Sequence, residues 1–429
     1  MSQNRCGLLA GVIVLGLSAP MADAWDTNDW QFLEQIEKTS LNFFLNEKYG
    51  DYDLLADNAA NTGGKWTDWC SVAGVGFEMT SICLGHYRGW ISHSNAYEQV
   101  LQMMRGFSGR LNSDPEFLKR EHGWTYHWYN LWTGHEDSPD GLSLLDHSLF
   151  IAGVIFVSEY FKGTEAGLLA DELYEQTQWS WRGDGDYDFG YSENLLAVVE
   201  CAEAPAYKKN SARAMWESYL EPYPRTLQLY FWQYPHCWVD FRYRWDGKGR
   251  NHSEIARDSI LYQRQRAIDM HNADPAKYDM LGSNCWGWTA ASSSEGYRQM
   301  APWGLNLGGT YYDEEHASDS GSVTPFALPP CMIYAGTETM AAMKHIYEEY
   351  YVKGWDSGQG EMPVWGEPYG FLNCFNHGRP YNASKTNYYW GVNAAIDYGP
   401  NVLMLENYKL GSTWRWFMQN QHIAAGMDT

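Results

Sequence analysis

Residues 29–46 read DWQFLEQIEKTSLNFFLN. Trp30, Leu33, Ile36, Phe43 and Phe44 recur at the spacing of a helix and fall mostly on one face, while Glu34, Glu37 and Lys38 lie elsewhere. The stretch predicts an amphipathic helix. Similar patterns predict helices at 71–89, 95–111, 142–161, 165–179, 192–201, 211–220, 253–272, 337–351, 401–408 and 412–427. Between them run long connections rich in Gly, Trp, Tyr and Asp, at 120–140, 181–191, 230–250, 282–330 and 353–391. Loops of that length in a compact chain are usually functional rather than connective. No polar low-complexity linker divides the chain, so 25–429 is expected to form one domain. Paired helices with elaborate loops at one end suggest an all-α toroid whose loops wall a central cleft.

The 429 residues carry 53 acidic against 30 basic side chains, a formal charge of −23, with only 19% charged residues but 22 Trp, 31 Tyr and 41 Gly. That composition excludes disorder and a charge-laced coiled coil. The negative charge would repel a phosphate backbone, and no Lys/Arg stripe offsets it, so nucleic acid is not an expected partner. A neutral polymer would be indifferent to the charge.

Residues 1–24 read MSQNRCGLLAGVIVLGLSAPMADA: one Arg, an apolar run from Cys6 to Ala19, and Ala22-Asp23-Ala24 with the small-x-small form of a signal-peptidase site. We expect a signal peptide over 1–24 and export to the periplasm or outside a bacterial cell. No later apolar run is long enough to span a membrane. The seven remaining cysteines, an odd number without tight spacing, allow at most a few disulfides, and buried free thiols are an equally good reading.

No HExxH, paired CxxC, GxxxxGK[ST], GxSxG or complete GxGxxG occurs, so the local signatures of zinc proteases, P-loops, serine hydrolases and dinucleotide folds are missing. Asp184, Asp186 and Asp188 begin like a calcium loop, but Phe189 and Leu195 stand where Gly and the bidentate Glu belong, so an Asp/Gly turn is expected. Neither metal nor organic cofactor is implied. The loops do combine carboxylates with aromatics. A glycosidase needs that pairing, because rings stack on sugar faces while two acids protonate the leaving oxygen and activate water.

Several segments in order carry a resemblance: Ser71-Val72-Ala73-Gly74-Val75-Gly76-Phe77 with Arg88-Gly89-Trp90-Ile91, then Tyr191-Ser192-Glu193-Asn194, then His236-Cys237-Trp238-Val239-Asp240-Phe241-Arg242. They continue as Cys285-Trp286-Gly287-Trp288-Thr289-Ala290 with Glu295-Gly296-Tyr297, Gly321-Ser322-Val323-Thr324-Pro325, Trp365-Gly366 with Tyr369-Gly370-Phe371, and Ile396-Asp397-Tyr398-Gly399-Pro400 leading to Glu406-Asn407-Tyr408. Over nearly the whole mature chain the sequence resembles the glucoamylase-like bacterial glycoside hydrolases that include the endo-β-1,2-glucanases, glycoside hydrolase family 144. The resemblance implies a six-hairpin (α/α)6 toroid and an exported enzyme cutting a neutral β-glucan, most simply an inverting endo-β-1,2-glucanase. Two places depart from the family pattern: Ser143 with Asp146, and Ser320-Gly321-Ser322. They leave open a transglycosylase, a hydrolase of another β-glucan linkage, or a non-catalytic glycan-binding toroid.

The resemblance assigns Asp397 as general base and Glu193 as general acid. The residues themselves also allow plainer roles. Asp397, on a loop before a helix from Asn401, could be a helix cap, and Glu193 in a first helical turn could serve the helix dipole. Asp146, inside an apolar helix, is either a substrate contact or half of a structural pair. Asp140 and Asp240 are further candidates beside aromatics on long loops. Trp124, His127, Trp286 and Tyr381 are candidate sugar contacts with packing explanations of similar weight. Inversion requires the two carboxyls to stand about 6.5–9.5 Å apart.

Overall fold

The computed structural model describes residues 26–180, 194–204, 209–218, 228–293, 296–299, 321–350, 355–356, 361–362, 364–376 and 388–428. Glu193, Tyr381 and the Asp184–Asp188 turn lie outside them. The described helices are α1 (Thr27–Asn46), α2 (Val72–Tyr87), α3 (His93–Phe107), α4 (Leu144–Tyr160), α5 (Glu165–Gln176), α6 (Asn194–Cys201), α7 (Lys209–Ser218), α8 (Leu229–Trp238), α9 (His252–Ala273), α10 (Met332–Tyr350), α11 (Ala395–Leu410), α12 (Ser412–Met418) and α13 (Gln421–Met427).

They form an all-α toroid of two concentric layers. Helices α2, α4, α6, α8 and α11 make the inner ring, α2 packing on α4, α4 on α6, α6 on α8, α8 on α11 and α11 back on α2. The inner helices have no polar face. Every residue of α2 from Val72 to Gly85 is buried, as is every residue of α4 from His147 to Glu159, so apolar groups all round each helix serve two ring neighbours and an outer helix at once. The outer helices show the contrasting pattern: α3 buries Ala96, Val100, Met104 and Phe107 along one stripe. Helix α1 packs on α11 and α2, α5 on α4, α7 on α6, α9 on α8 and α10, and α10 on α11. The short α12 packs against α2, α4, α8 and α11, closing the ring at the C-terminal ends of its inner helices.

The stretch between α9 and α10, which packs against α11, differs. There the chain makes two 3₁₀ turns, Pro325–Ala327 and Pro329–Cys331, before α10, which is kinked at Ala335. Three prolines within six residues remove the amide donors a longer inner helix would need. Gln233 of α8 donates to the Ala327 carbonyl (2.8 Å), seating these turns beside the ring.

Two corrections to the sequence reading concern the inner ring. Within the stretch 230–250 expected as a connection, the residues up to Trp238 belong to helix α8 (Leu229–Trp238), even with Pro235 inside it. Helix α11 begins at Ala395, not Asn401, and runs through Pro400. Pro400 has no N–H to offer the carbonyl four residues back, and Tyr234 Oη from α8 donates to that Ile396 oxygen instead (3.3 Å), repairing the helix from its neighbour.

Small residues set how closely the ring packs. A methyl group on Gly76 of α2 would stand 2.0 Å from the Leu149 carbonyl oxygen of α4, and one on Gly153 of α4 would stand 2.4 Å from the Gly76 oxygen. Only glycine permits this approach. Short strands then tie the N-terminal ends of the inner helices together. Trp69–Ser71, leading into α2, pairs antiparallel with Trp128–Asn130, and Asn58–Ala60 pairs with Val392–Ala394, leading into α11. All seven cysteines from Cys70 to Cys374 are buried, and none forms a disulfide. No described helix is long and apolar enough to cross a membrane.

Candidate active site

The strand pairing that delivers the chain into α11 also fixes the site. Ala394 lies opposite Asn58, and the Ala395 N–H donates to the Asp57 carbonyl (2.7 Å), while the Asp57 N–H donates to the Trp69 carbonyl (2.7 Å). Asp57 is therefore pinned by backbone between the approaches to α2 and α11. In the first turn of α11, the Asp397 carboxylate accepts the Ala394 N–H (2.7 Å) and Asn373 Nδ2 (2.9 Å). Helix capping and an active-site position thus coexist in one side chain.

Burial pushes the Asp397 carboxyl up to about 8, with the nearby Asp57 adding to the rise and the two hydrogen bonds opposing it. Asp57, 6% exposed, is likewise pushed by burial to about 7. His127 opposes that rise, Asp146 adds to it, and Asn58 Nδ2 bonds the carboxylate at 2.9 Å. Two buried carboxyls with raised pKa values therefore lie within electrostatic reach of each other, next to the paired strands that lead to α11.

His127 connects them to α4. Its backbone bridges Gly141 and Val72, its ring stacks on Trp128 with centroids 4.1 Å apart, its Nδ1 meets Asp140 Oδ2 at 2.7 Å, and its Nε2 lies 3.4 Å from Asp146 Oδ1. Asp146 stands in the first turn of α4, where Ser143 Oγ donates to Asp146 Oδ2 (2.5 Å) and accepts the Asp146 N–H (3.3 Å). Ser143 is thus the N-cap of α4. The N-terminal ends of α2, α4 and α11 collect Asp57, His127, Asp140, Asp146 and Asp397 at one mouth of the ring.

A belt of indoles adjoins these groups. Trp66, Trp69 and Trp132 are 52%, 39% and 51% exposed, and Trp69 lies 5.7 Å from Trp128 between ring centroids. Trp69 Nε1 is bonded to Asp137 (3.1 Å) and Trp132 Nε1 to Asp68 (3.0 Å), which fixes the rings while leaving surface open. Rigid, accessible aromatic faces suit stacking on pyranose rings. Among the described residues, no three His, Cys, Asp or Glu are grouped to hold a metal ion.

Of the residues the sequence reading names, the structure brings His127, Asp140 and Asp146 together and places Asp397 within electrostatic reach of Asp57, which His127 and Asp146 also influence. Three other candidates lie elsewhere. Trp124 is wholly buried, its Nε1 bonded to the Gln178 carbonyl and its ring against His147 and Trp179, and Trp286 is also wholly buried, so neither offers a face for a sugar. Asp240 follows the C-terminal end of α8, at the opposite end of the ring, where Arg242 holds both its oxygens (2.8 and 2.9 Å). Asp57 and the Trp66–Trp69–Trp128 belt were missed. Asp57 sits in no motif, and its place follows from a strand register with a segment near the other end of the chain.

The family model called Glycoamylase, described as "Putative glucoamylase", matches residues 187–421, more than half of the chain. The chain belongs to this family. A curated relative, the exo-β-1,2-glucooligosaccharide sophorohydrolase (non-reducing end) of Parabacteroides distasonis, is 19% identical across 95% of this chain, which spans 58% of that relative's length. Among solved structures, the endo-β-1,2-glucanase of Chitinophaga pinensis, in complex with sophorotriose and glucose, superposes with a TM-score of 0.75. The match is 22% identical and covers 93% of this chain and 97% of that one. The β-1,2-glucanase of Parabacteroides distasonis superposes with a TM-score of 0.72 at 18% identity, covering 94% of this chain and 60% of that one. These likenesses establish that this family member shares the toroid.

Proposed function

We propose that this family member is an exported glycoside hydrolase that cuts a neutral β-glucan, with β-1,2-glucan as substrate and inversion at the anomeric carbon. The observation that carries the reading is the Asp57–Asp397 carboxyl pair beside His127 and a belt of exposed indoles at one mouth of the toroid. Asp397 is the general base, acting on water directly or through a substrate hydroxyl. Its raised pKa makes it a stronger base once ionised, so activity should rise with pH through neutrality. Glu193, which immediately precedes α6, is assigned as the general acid from family resemblance. Asp146, Asp140 and His127 bind sugar hydroxyls through a fixed hydrogen-bond chain, and Trp69 and Trp128 stack on the rings.

The family relatives that act on β-1,2-linked glucans support the linkage, and the apolar N-terminal run with its Ala22-Asp23-Ala24 end supports export to the periplasm or cell exterior. The test is incubation with a panel of linkage-defined glucans, following the first-formed anomer by proton NMR. Release of α-configured reducing ends from β-1,2-glucan supports the reading. Binding without reducing-end release from any member, or retained β configuration, refutes it.

A further inference from the structure

At the other end of the ring, beyond the C-terminus of α8, lies a recess of about 520 Å³ that the proposed chemistry does not use. Its walls include Arg213, Trp216, Phe241, Arg244, Trp245 and Asp246. Helix α8 separates this region from the catalytic mouth: Tyr234 reaches the first turn of α11, whereas the carbonyls of His236 and Cys237 are bonded by Trp414 and Asn407 near the far end. Ten helical residues at about 1.5 Å each place roughly 15 Å of packed helix between the two ends.

The loop over the recess is tightly braced at its base and opens its largest rings to solvent. Arg242 grips Asp240 and lies over the Trp414 ring at 4.1 Å. Asp246 accepts the N–H groups of Lys248 and Arg250 (both 2.9 Å), Arg250 Nε (2.6 Å) and Trp216 Nε1 (3.1 Å). Between these anchors Tyr243 sits at φ +58°, a left-handed conformation that a bulky side chain seldom adopts and that costs about 1–3 kcal/mol elsewhere. What the strained turn achieves is display: Tyr243 is 76% and Trp245 60% exposed, and Arg244 between them is also exposed, its guanidinium making no hydrogen bond or ion pair among the described residues. A loop so constrained does not leave two aromatics in water for want of packing alternatives.

We propose that this recess is a second, non-catalytic carbohydrate site that takes a segment of the same neutral glucan, an identification that rests on the reading above. Trp245 on the recess wall presents a ring face to pyranose C–H surfaces, Tyr243 stands exposed two residues before it in the same loop, and the Arg244 guanidinium, without a bonding partner among the described residues, offers donors to hydroxyls. An anionic ligand fits less well. Arg213 is balanced by Glu217 (3.1 Å) and Arg250 by Asp246 (2.6 Å), and Asp428 lines the same wall, so the basic side chains do not sum to a strong positive site. The volume lies within the range of small-ligand pockets. A polymer long enough to engage both ends of the toroid would be retained while its other part is cut.

The full chain carrying Asp397→Asn, titrated calorimetrically with long β-1,2-glucan, should show two classes of site. Adding Trp245→Ala, or separately Arg244→Ala, should weaken one class at least tenfold. In the otherwise wild-type enzyme, Trp245→Ala should leave hydrolysis of a short β-1,2-oligosaccharide unchanged and slow hydrolysis of dilute polymer several-fold. One class of site that neither substitution alters overturns the proposal. Should β-1,2-glucan not be cut at all, the same titrations with the other glucans of the panel separate the two claims. Trp245-dependent binding of another neutral glucan would retain the site and reject the linkage. Trp245-independent binding throughout would reject the site.

Discussion

Replacing Asp57 by Asn removes one of the two carboxyls at the candidate site whose pKa burial raises, and its effect on stability has a definite sign. The Asp57 carboxyl stands at about 7 in the folded chain against an ordinary 3.8. The folded state therefore binds this proton more tightly than the unfolded state. The resulting stabilisation is fully present below about pH 3.8 and is lost as pH rises through 7. The difference of about 3 units corresponds to on the order of 4 kcal/mol between pH 4 and pH 8. Asn keeps the size and an oxygen for Asn58 Nδ2, leaves the backbone bonds to Ala395 and Trp69 untouched, and never ionises. Urea unfolding of both proteins at pH 4.5, 6 and 8 should show Asp57→Asn gaining stability relative to wild type as pH rises, by several kcal/mol at pH 8. The acid limb of kcat/KM should also move to lower pH, because the like charge that adds to the burial-driven rise of Asp397 is gone. A stability difference that is the same at all three pH values would refute the reasoning.

Trp69→Ala should raise KM about tenfold with kcat changed less than twofold, measured on a short oligosaccharide, since the indole binds substrate without touching the reacting bond. Gly76→Ala should destabilise the fold by about 3 kcal/mol or more in urea unfolding. Its methyl group must move from 2.0 Å to an ordinary 3.4 Å from the Leu149 oxygen, a forced separation of 1.4 Å between α2 and α4. A thermal melt with and without dithiothreitol should give the same midpoint, because the seven buried cysteines from Cys70 to Cys374 form no disulfide.

Much of the toroid was legible from local pattern. Helices α1 and α3 announce themselves through one apolar stripe, and α2 and α4 through continuous apolar runs. Helix α8 was not, because LYFWQYPHCW is aromatic without a period and contains Pro235, and it is packed as a helix by α6, α9, α11 and α12. The start of α11 was hidden by Gly399-Pro400, which reads as a break until Tyr234 supplies the missing donor.

The site was legible where chemistry lay close in sequence and hidden where it did not. His127, Asp140 and Asp146 belong to one loop and the helix after it, so their association follows from short spacing. Asp57 meets Asp397 through the register of Asn58–Ala60 with Val392–Ala394, which no local spacing encodes. Trp124 and Trp286 show the converse, that a loop tryptophan beside glycines can be wholly interior. Identity of residue type could not separate them from Trp69.

The most direct measurement is kcat for Asp397→Asn on a short β-1,2-gluco-oligosaccharide, with the folded state checked by circular dichroism. Loss of the base should lower kcat at least about a hundredfold across the pH range while the variant still binds the sugar. A folded Asp397→Asn variant that turns over at the wild-type rate would contradict the account.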